Sequence, residues 1–577
     1  MWRCGIGCIA IAESLMSLPA TIHTSVGQSL IGKVSRLFNN SVTDVLNELL
    51  QNARRADASR IEIDVVDDDG RSILVVRDDG SGVADPAKLV TLGDSGWNEA
   101  TQHREDPAGM GVFSVAGRPV EIRSRARGTD NGWRVVIAPE AWESGAPLAI
   151  ESWAVDAGTE LRIGMPDAWG KDLAAAAVNA ARHYPLPVLF KGEELKRSDF
   201  LAGAVRVEDW EGCRIGVFLE RGHIPSSYPR INFHGLTVCC PMPSVSEVET
   251  SECWHVRVDI IDAPALQLVL PARKEMVQNA ALDHLREAAE RAIFRAIAHH
   301  GRHRLAHAQW LRARELGIDL SEAEPWLPAW IPRTADGNSL AVGERVVDRP
   351  MILFPDAEPP IEQCAARVLR SGEILGGALV REVSAFAGYR WYDLVPRISA
   401  LSFRIEAEGE IHRYEEGLAL PDTMQSGTVA AIMLDVFISP SGTPDESASS
   451  RSFPADVLIA PDDGWSADLD ETLILLAPGC SVDPNDLADL LEASCFCASD
   501  DVDNDSWQTQ QRYFLVQARQ IANTLLRGED AAILERIRDI VHEEIRWLIP
   551  AGRRVSMVAG DGQIDLAFVD EAAAPSD

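Results

Sequence analysis

With 577 residues, 46% of them apolar and 25% charged, the chain is too long for one hydrophobic core and has the composition of soluble globular domains, three or four of them by length. No stretch approaches the roughly 20 consecutive apolar residues of a membrane helix, and a formal charge of −34 argues against a surface built to neutralise nucleic-acid phosphates. The ten cysteines include no CxxC pair, Cys239 adjoining Cys240 and Cys495 lying one residue from Cys497, so neither a zinc site nor a disulfide framework is signalled.

In chain order, residues 1–20 carry Arg3, a short apolar run at 6–12 and a small residue at Ala20. This is an echo of an export signal, which a start at Met16 would remove. Leu30, Val34, Leu37, Val45, Leu46, Leu49 and Leu50 recur at helical spacing with a break at Asn39-Asn40-Ser41. Two helices are predicted, the second capped at Ser41 or Thr43. Residues 60–66 and 72–77 are β-rich runs joined by Asp67-Asp68-Asp69-Gly70, a hairpin signal. Gly93, Gly96, Gly109 and Gly111 mark a long loop, and strands are predicted at 120–124, 133–137 and 160–163. A second unit is expected near Gly170, with strands at 187–190, 214–219, 237–240 and 254–260 and one long helical pattern over 275–316.

Beyond Ser321 the chain mixes Pro-rich connections with strands and helices. Between Leu434 and Ser506 the only basic residue is Arg451, the composition of a solvated acidic surface. Two helices are predicted over 507–548, and a hairpin over 554–568 turning at Gly560-Asp561-Gly562.

Four elements carry chemistry. Glu48 and Asn52 stand four residues apart, so on a helix they project side by side while Leu46, Leu49 and Leu50 face a core. A carboxylate beside a carboxamide suits activation of a water and an oxygen ligand for magnesium. Asp78, directly after a strand and followed by Gly80 and Gly82, can accept a hydrogen bond from an exocyclic amine where the backbone approaches closely. Gly109-Met110-Gly111-Val112-Phe113 is a glycine turn opening an apolar segment, and backbone N–H groups at such a turn cradle anions. Gly158-Thr159 places a hydroxyl at the mouth of a strand. Each alone is equally an ordinary helix face or turn.

Taken together and in this order, the four elements resemble the N box, G1 box, G2 box and final Gly-Thr of the GHKL (Bergerat-fold) ATPases, a class including gyrase B subunits, the ninety-kilodalton heat-shock chaperones, MutL and histidine kinases. The resemblance implies ATP and Mg2+ as ligands. Glu48 would be the general base, Asn52 the magnesium ligand, and Asp78 the acceptor for the adenine amine. Gly80 and Gly82 would give the nucleotide room, and Gly93, Ser95 and Gly96 would lie in a lid. The stretch Gly109, Met110, Gly111, Val112 and Phe113 would lie along the phosphates, held by the amides of Gly109 and Gly111, and Thr159 would help fix the adenine. Two departures stand out: Arg55 replaces the acidic residue that often follows the N-box Asn, and Asp106 replaces the first glycine of the longer G2 form.

The segments Arg36-Leu37-Phe38-Asn39-Asn40 and Gly109 to Ser114 look most like the heat-shock chaperone versions. The stretch Leu270-Pro271-Ala272-Arg273-Lys274-Glu275 is similar to the chaperone middle-domain segment that sends a cation to the γ-phosphate, with Lys274 in that place and Arg273 beside it. The fold class expected is α+β: residues 1–26 an extension, 27–168 the ATP-binding α/β sandwich, 169–318 a transducer-like α/β middle domain and 319–577 an acidic α+β region. The expected function is slow Mg-dependent ATP hydrolysis in the cytoplasm, driving a conformational cycle on a protein partner, with a homodimer compatible with the resemblance. The alternatives are a nucleotide-binding regulatory or defence switch with little turnover, and a DNA-handling gyrase- or MutL-like ATPase. His299, His303 and His307 would share a helix face beside His300, a spacing that can hold a metal, although no carboxylate motif accompanies them.

Overall fold

The computed structural model describes residues 41–91, 111–144, 146–222, 225, 227–270, 273–337, 343–370, 372–440, 449–461, 468–499 and 505–569. Gly93, Ser95, Gly96, Gly109, Met110, Asp106 and the segment from Arg36 to Asn40 lie outside them. The chain divides into two compact units, Met1–Ser321 and Glu322–Asp577, and the fold is α+β as expected. Among the described residues no helix is long and apolar enough to cross a membrane.

The first unit opens with helix α1 (Val42–Arg55), whose N-cap Ser41 accepts from the Asp44 amide at 3.1 Å. Strands β1 (Ile61–Asp68) and β2 (Arg71–Asp78) form the predicted hairpin. Its turn uses Asp69 and Gly70 at φ 50° and 77°, the left-handed pair that matches the twist of a hairpin. Next come β3 (Val120–Arg125), β4 (Gly132–Ile137), β5 (Ile150–Trp153), β6 (Gly158–Gly164), α2 (Asp167–Ala181), β7 (Val188–Phe190) and β8 (Glu193–Glu194). These strands make one sheet in the order β5-β4-β3-β6-β2-β1-β7-β8, antiparallel except where β7 joins β1 in parallel.

Alternation along the strands makes the sheet two-faced. Ile61, Ile63, Leu74, Val76, Ile122, Leu161 and Ile163 pack with Leu46, Leu49 and Leu50 of α1 and Leu173 and Ala177 of α2 in one core. On the opposite face Glu160 accepts from Arg77 (Nε, 2.9 Å) and Arg123 (3.1 Å), and Glu121 from Arg123 (2.7 Å) and Arg134 (2.5 Å). This cross-strand charge ladder is the sheet's polar side.

The expected boundary at 168/169 falls inside α2, and the first sheet continues through β8. The reason lies in the sequence itself: Val188-Leu189-Phe190 offers a strand whose partner is the free edge of β1. A second sheet follows, order β12-β11-β14-β10-β9 with β13 on β14, from β9 (Arg206–Trp210), β10 (Cys213–Arg221), β11 (Ile231–Phe233), β12 (Leu236–Val238), β13 (Ser244–Ser246) and β14 (Glu252–Ile260). Helix α3 (Ala280–His300) covers it.

The single helix predicted over 275–316 is two, α3 and α4 (His307–Glu315). Gly301 ends α3 in the left-handed conformation, φ 81°, with its amide on the Ile297 carbonyl, and this is a strong helix stop. The expected histidine face is broken with it. His303 is buried between the helices with Nε2 2.8 Å from the Ser321 carbonyl oxygen, and no cluster of three metal-ligating side chains occurs among the described residues.

In the second unit, β15 (Met351–Phe354), α5 (Pro359–Leu369) and β16 (Ala378–Arg381) form a parallel crossover. The sheet extends through β17 (Arg397–Ala407), which pairs with β18 (Glu410–Tyr414) and with β19 (Ala431–Ser439), itself paired with β20 (Ser449–Pro454). A further pair, β21 (Val457–Pro461) and β22 (Thr472–Leu476), shares one core with α5, α6 (Pro484–Cys495) and α7 (Trp507–Arg527). Helix α8 (Glu529–Ile540) and the hairpin β23 (Arg554–Gly560) and β24 (Gln563–Val569) complete it, the last turning at Asp561 and Gly562 where the sequence predicts.

Candidate functional site

Helix α1 has an apolar stripe fixed in the core, and this sets the direction of its remaining face. Glu48 is 6% exposed and lies on that face one turn before Asn52, as the four-residue spacing requires. Burial raises the Glu48 pKa, and the nearby guanidinium groups of Arg273 and Arg55 oppose that shift while Asp44 adds to it.

Arg273 reaches Glu48 from the segment that follows the second sheet. Its Nη1 lies 3.2 Å from Glu48 Oε2, yet that nitrogen is buried without an aligned hydrogen bond to any described residue. It is a desolvated donor held at a carboxylate by charge alone. Lys274 Nζ instead lies 3.5 Å from Asp44 Oδ2 and is half exposed. Of the two cations expected from sequence, Arg273 faces Glu48 and Lys274 sits one helical turn back. Arg273 adopts φ 52°, which turns the backbone between the two side chains and sends them to different carboxylates.

Asn52 accepts from Arg55 Nη1 at 3.3 Å through Oδ1, so the departure at Arg55 bears directly on the carboxamide. Gly111 meets the same carboxamide, since a Cβ built on it would come within 2.6 Å of Asn52 Nδ2. A larger residue at 111 would have to displace the Asn52 carboxamide. Gly111 opens a short 3-10 turn, Gly111–Val115, in which the Ser114 hydroxyl donates to the Gly111 carbonyl at 2.7 Å. Val112 and Phe113 are 7% and 2% exposed and belong to the core, with Phe113 edge-on to Trp142. Their side chains anchor the turn in the core.

Asp78 ends β2 directly opposite Thr159 on β6. Its carboxylate accepts from the Gly80 amide at 2.9 Å and from the Thr159 amide. Burial pushes its pKa up to about 6, reinforced by Asp79 and countered by those two amides. Gly80 packs on Ala56, and a Cβ there would meet Ala56 at 2.7 Å. Gly82 has φ +66°, and a Cβ would fall 2.1 Å from the Arg125 carbonyl oxygen. Both glycines are thus fixed by the protein's own backbone contacts, beyond any need of a ligand.

Three residues carry no sequence signal that marks them. Ser124, fully buried, donates to the Gly158 carbonyl at 2.8 Å, accepts from the Val83 amide at 2.9 Å and lies 3.1 Å from the Thr159 hydroxyl. It ties the turn after Gly82 to the Gly-Thr strand. Tyr184 donates to the Leu50 carbonyl at 2.5 Å, and Gln51 to the His234 carbonyl at 2.8 Å. These two bonds lock α1 to the segments that follow α2. Asp79, next to Asp78, caps Ser59 and Arg60 through their amides at 2.6 and 3.1 Å and serves the turn.

No protein-family model matches the chain, and no curated protein matches it. Solved structures do. The ATPase domain of Aquifex aeolicus MutL complexed with ADP is similar at 18% identity over 32% of this chain and 79% of that chain, TM-score 0.21. A second structure of the ATPase domain of that mismatch repair endonuclease is similar at 16% identity over 42% and 82%, TM-score 0.22. The N-terminal domain of a DNA repair protein is similar at 14% identity over 46% and 98%, TM-score 0.28.

Proposed function

We propose that the first unit binds ATP with magnesium and hydrolyses it slowly. One observation carries this reading: stretches far apart in sequence meet in two pairs, Asn52 against Gly111 and Asp78 against Thr159, the pairs to which the sequence resemblance gives the phosphate and adenine ends of a nucleotide. Asp78 accepts from the adenine amine, with Thr159 and Ser124 fixing its edge. Gly111 and the turn it opens bring backbone amides to the phosphates beside α1. Asn52 suits magnesium, because its Oδ1 keeps a second lone pair when Arg55 donates to the first; the ion would neutralise charge on the phosphate oxygens.

Glu48 is the base that takes a proton from the attacking water. Its ion pair with Arg273 gives the site an order of events. The buried Arg273 Nη1 lacks an aligned acceptor and turns to a phosphate oxygen when one arrives, which stabilises charge on the transferring group. Glu48 then loses the larger of its two counter-charges while burial and Asp44 still raise its pKa against Arg55, so it becomes a stronger base once nucleotide is in place.

The acidic chain and the resemblance to heat-shock chaperones favour a conformational cycle acting on a protein partner in the cytoplasm. A nucleotide-gated switch with little turnover is the second reading, and the clamps of Arg55 on Asn52 and Arg273 on Glu48 favour it. Magnesium-dependent phosphate release by the full chain, lost in Glu48→Ala with nucleotide binding retained, tests the enzyme. Binding without any release supports the switch, and absence of binding refutes both. Salt-sensitive retention on DNA would instead support the MutL-like alternative.

A further inference from the structure

The second unit holds a cavity of about 660 Å³ where the parallel strands β15 and β16 begin and α5 ends. That is the size of a small-molecule site. Ala366 and Leu369 of α5 and Leu379 of β16 give it an apolar wall, and Trp330 adds an aromatic one.

The Trp330 indole is held rigidly. It stacks on Phe354 with centroids 3.7 Å apart and planes 16° from parallel, and its Nε1 donates to Glu362 at 3.2 Å. Glu362 is 1% exposed and also accepts from the Arg333 amide at 3.0 Å, Arg333 Nε at 2.8 Å and the Ala357 amide at 3.1 Å. A buried carboxylate shared by four donors fixes all of them, so the ring is a plate already in place before a ligand arrives.

Charge at this cavity runs against the rest of the chain. The sequence has 88 acidic and 54 basic residues, yet among the described residues no Asp or Glu lines the cavity, while Arg349 and Arg370 do. Arg345, Arg367, Arg397 and Arg404 of the same unit are each paired with a carboxylate. The guanidinium groups of Arg349 and Arg370 are exposed and make no ion pair among the described residues.

From this we infer that the cavity binds a small aromatic acid, its ring lying against Trp330 and the apolar wall and its carboxylate or phosphate monoester meeting Arg349 and Arg370. Guanidinium groups match either acid through paired N–H donors, and a flat ring gains from stacking as well as from burial. A lining without carboxylates offers nothing to a cation or a metal ion. The site lies wholly in the second unit and does not rest on nucleotide binding by the first.

Calorimetric titration of the full chain with 2-naphthoate, 2-naphthyl phosphate and the neutral 2-naphthamide tests this. Both acids are expected to bind saturably, and the amide at least about tenfold more weakly. The tighter of the two acids identifies the head group as carboxylate or phosphate. Arg349→Gln and Arg370→Gln each weaken the acids about tenfold, the low end for a charged hydrogen bond because both side chains are exposed. Ala366→Trp puts an indole into the cavity from α5 with both arginines in place, and weakens them at least about tenfold. All three positions lie outside the buried core, so far-UV circular dichroism and Tm stay unchanged. Absence of saturable binding by either acid up to about 1 mM overturns the inference. So does an amide that binds as tightly as the acids, or acid binding left intact by Ala366→Trp or by the two arginine substitutions together, which would place the probe on another apolar surface.

Discussion

Asp78→Asn separates binding from folding in one substitution. In the folded protein the carboxyl group has a pKa of about 6 against an ordinary 3.8, so keeping it ionised at pH 7.5 costs the fold roughly 3 kcal/mol. The sign follows from linkage: a carboxyl whose folded pKa is raised destabilises the fold above that pKa, and the cost disappears as pH falls from about 6 toward 4. Asparagine keeps an oxygen for the Gly80 and Thr159 amides and carries no charge, so the variant gains stability at pH 7.5, a rise in Tm of a few degrees. The adenine amine, however, loses a charged acceptor, a term of roughly 1.5–3 kcal/mol, or about 10- to 150-fold in Kd. Calorimetric titration with a non-hydrolysable ATP analogue reads the affinity, and differential scanning calorimetry reads Tm. The same titration on the unmodified protein should weaken as pH drops below 6, by about tenfold at pH 5, with Asp78→Asn flat over that range. An Asn variant that binds normally and melts lower would refute the assignment of Asp78.

Other substitutions probe the remaining parts. Arg273→Ala should lower phosphate release at least a hundredfold, as expected for a cation on the transferred group, whereas Lys274→Ala, removing only a half-exposed contact to Asp44, should change it less than about threefold. Steady-state phosphate assays decide, and the reverse ranking would restore Lys274 to the γ-phosphate. Gly82→Ala places a Cβ against the Arg125 carbonyl in a left-handed backbone conformation and should cost at least about 2 kcal/mol, read by denaturant unfolding. Ser124→Ala leaves the Val83 amide and Thr159 hydroxyl without a partner and should cost roughly 1–3 kcal/mol of stability, with nucleotide affinity falling as well.

The placement of the candidate site's residues is legible where local chemistry repeats across one stretch of chain. The Glu48–Asn52 spacing, the hairpin into Asp78 and the Gly-Thr strand need only helix and strand periodicity, and their order supplied the rest. The core position of the Phe113 side chain is not written in the sequence, because an apolar residue beside a glycine turn looks the same whether it touches a ligand or the core. Ser124 and Tyr184 escape because their partners are 34 and 134 residues away, and no spacing rule reaches so far. Arg273 and Lys274 are adjacent and both cationic, so only the left-handed backbone at Arg273 tells them apart. The helix break at Gly301 could be read from the glycine, but the apolar pattern continuing on both sides hid it.

The parallel pairing of β7 with β1 has a mechanical consequence. Ile61, Glu62 and Ile63 bond on one side to the strand that ends in Asp78 and on the other to Val188–Phe190, and the Ser198 amide still reaches back to the Arg182 carbonyl. The chain after α2 is therefore woven into the first sheet and cannot swing at residue 169. A lever driven by nucleotide would have its fulcrum beyond Ser198, and β1 is the rod through which a pull at Asp78 would be felt there.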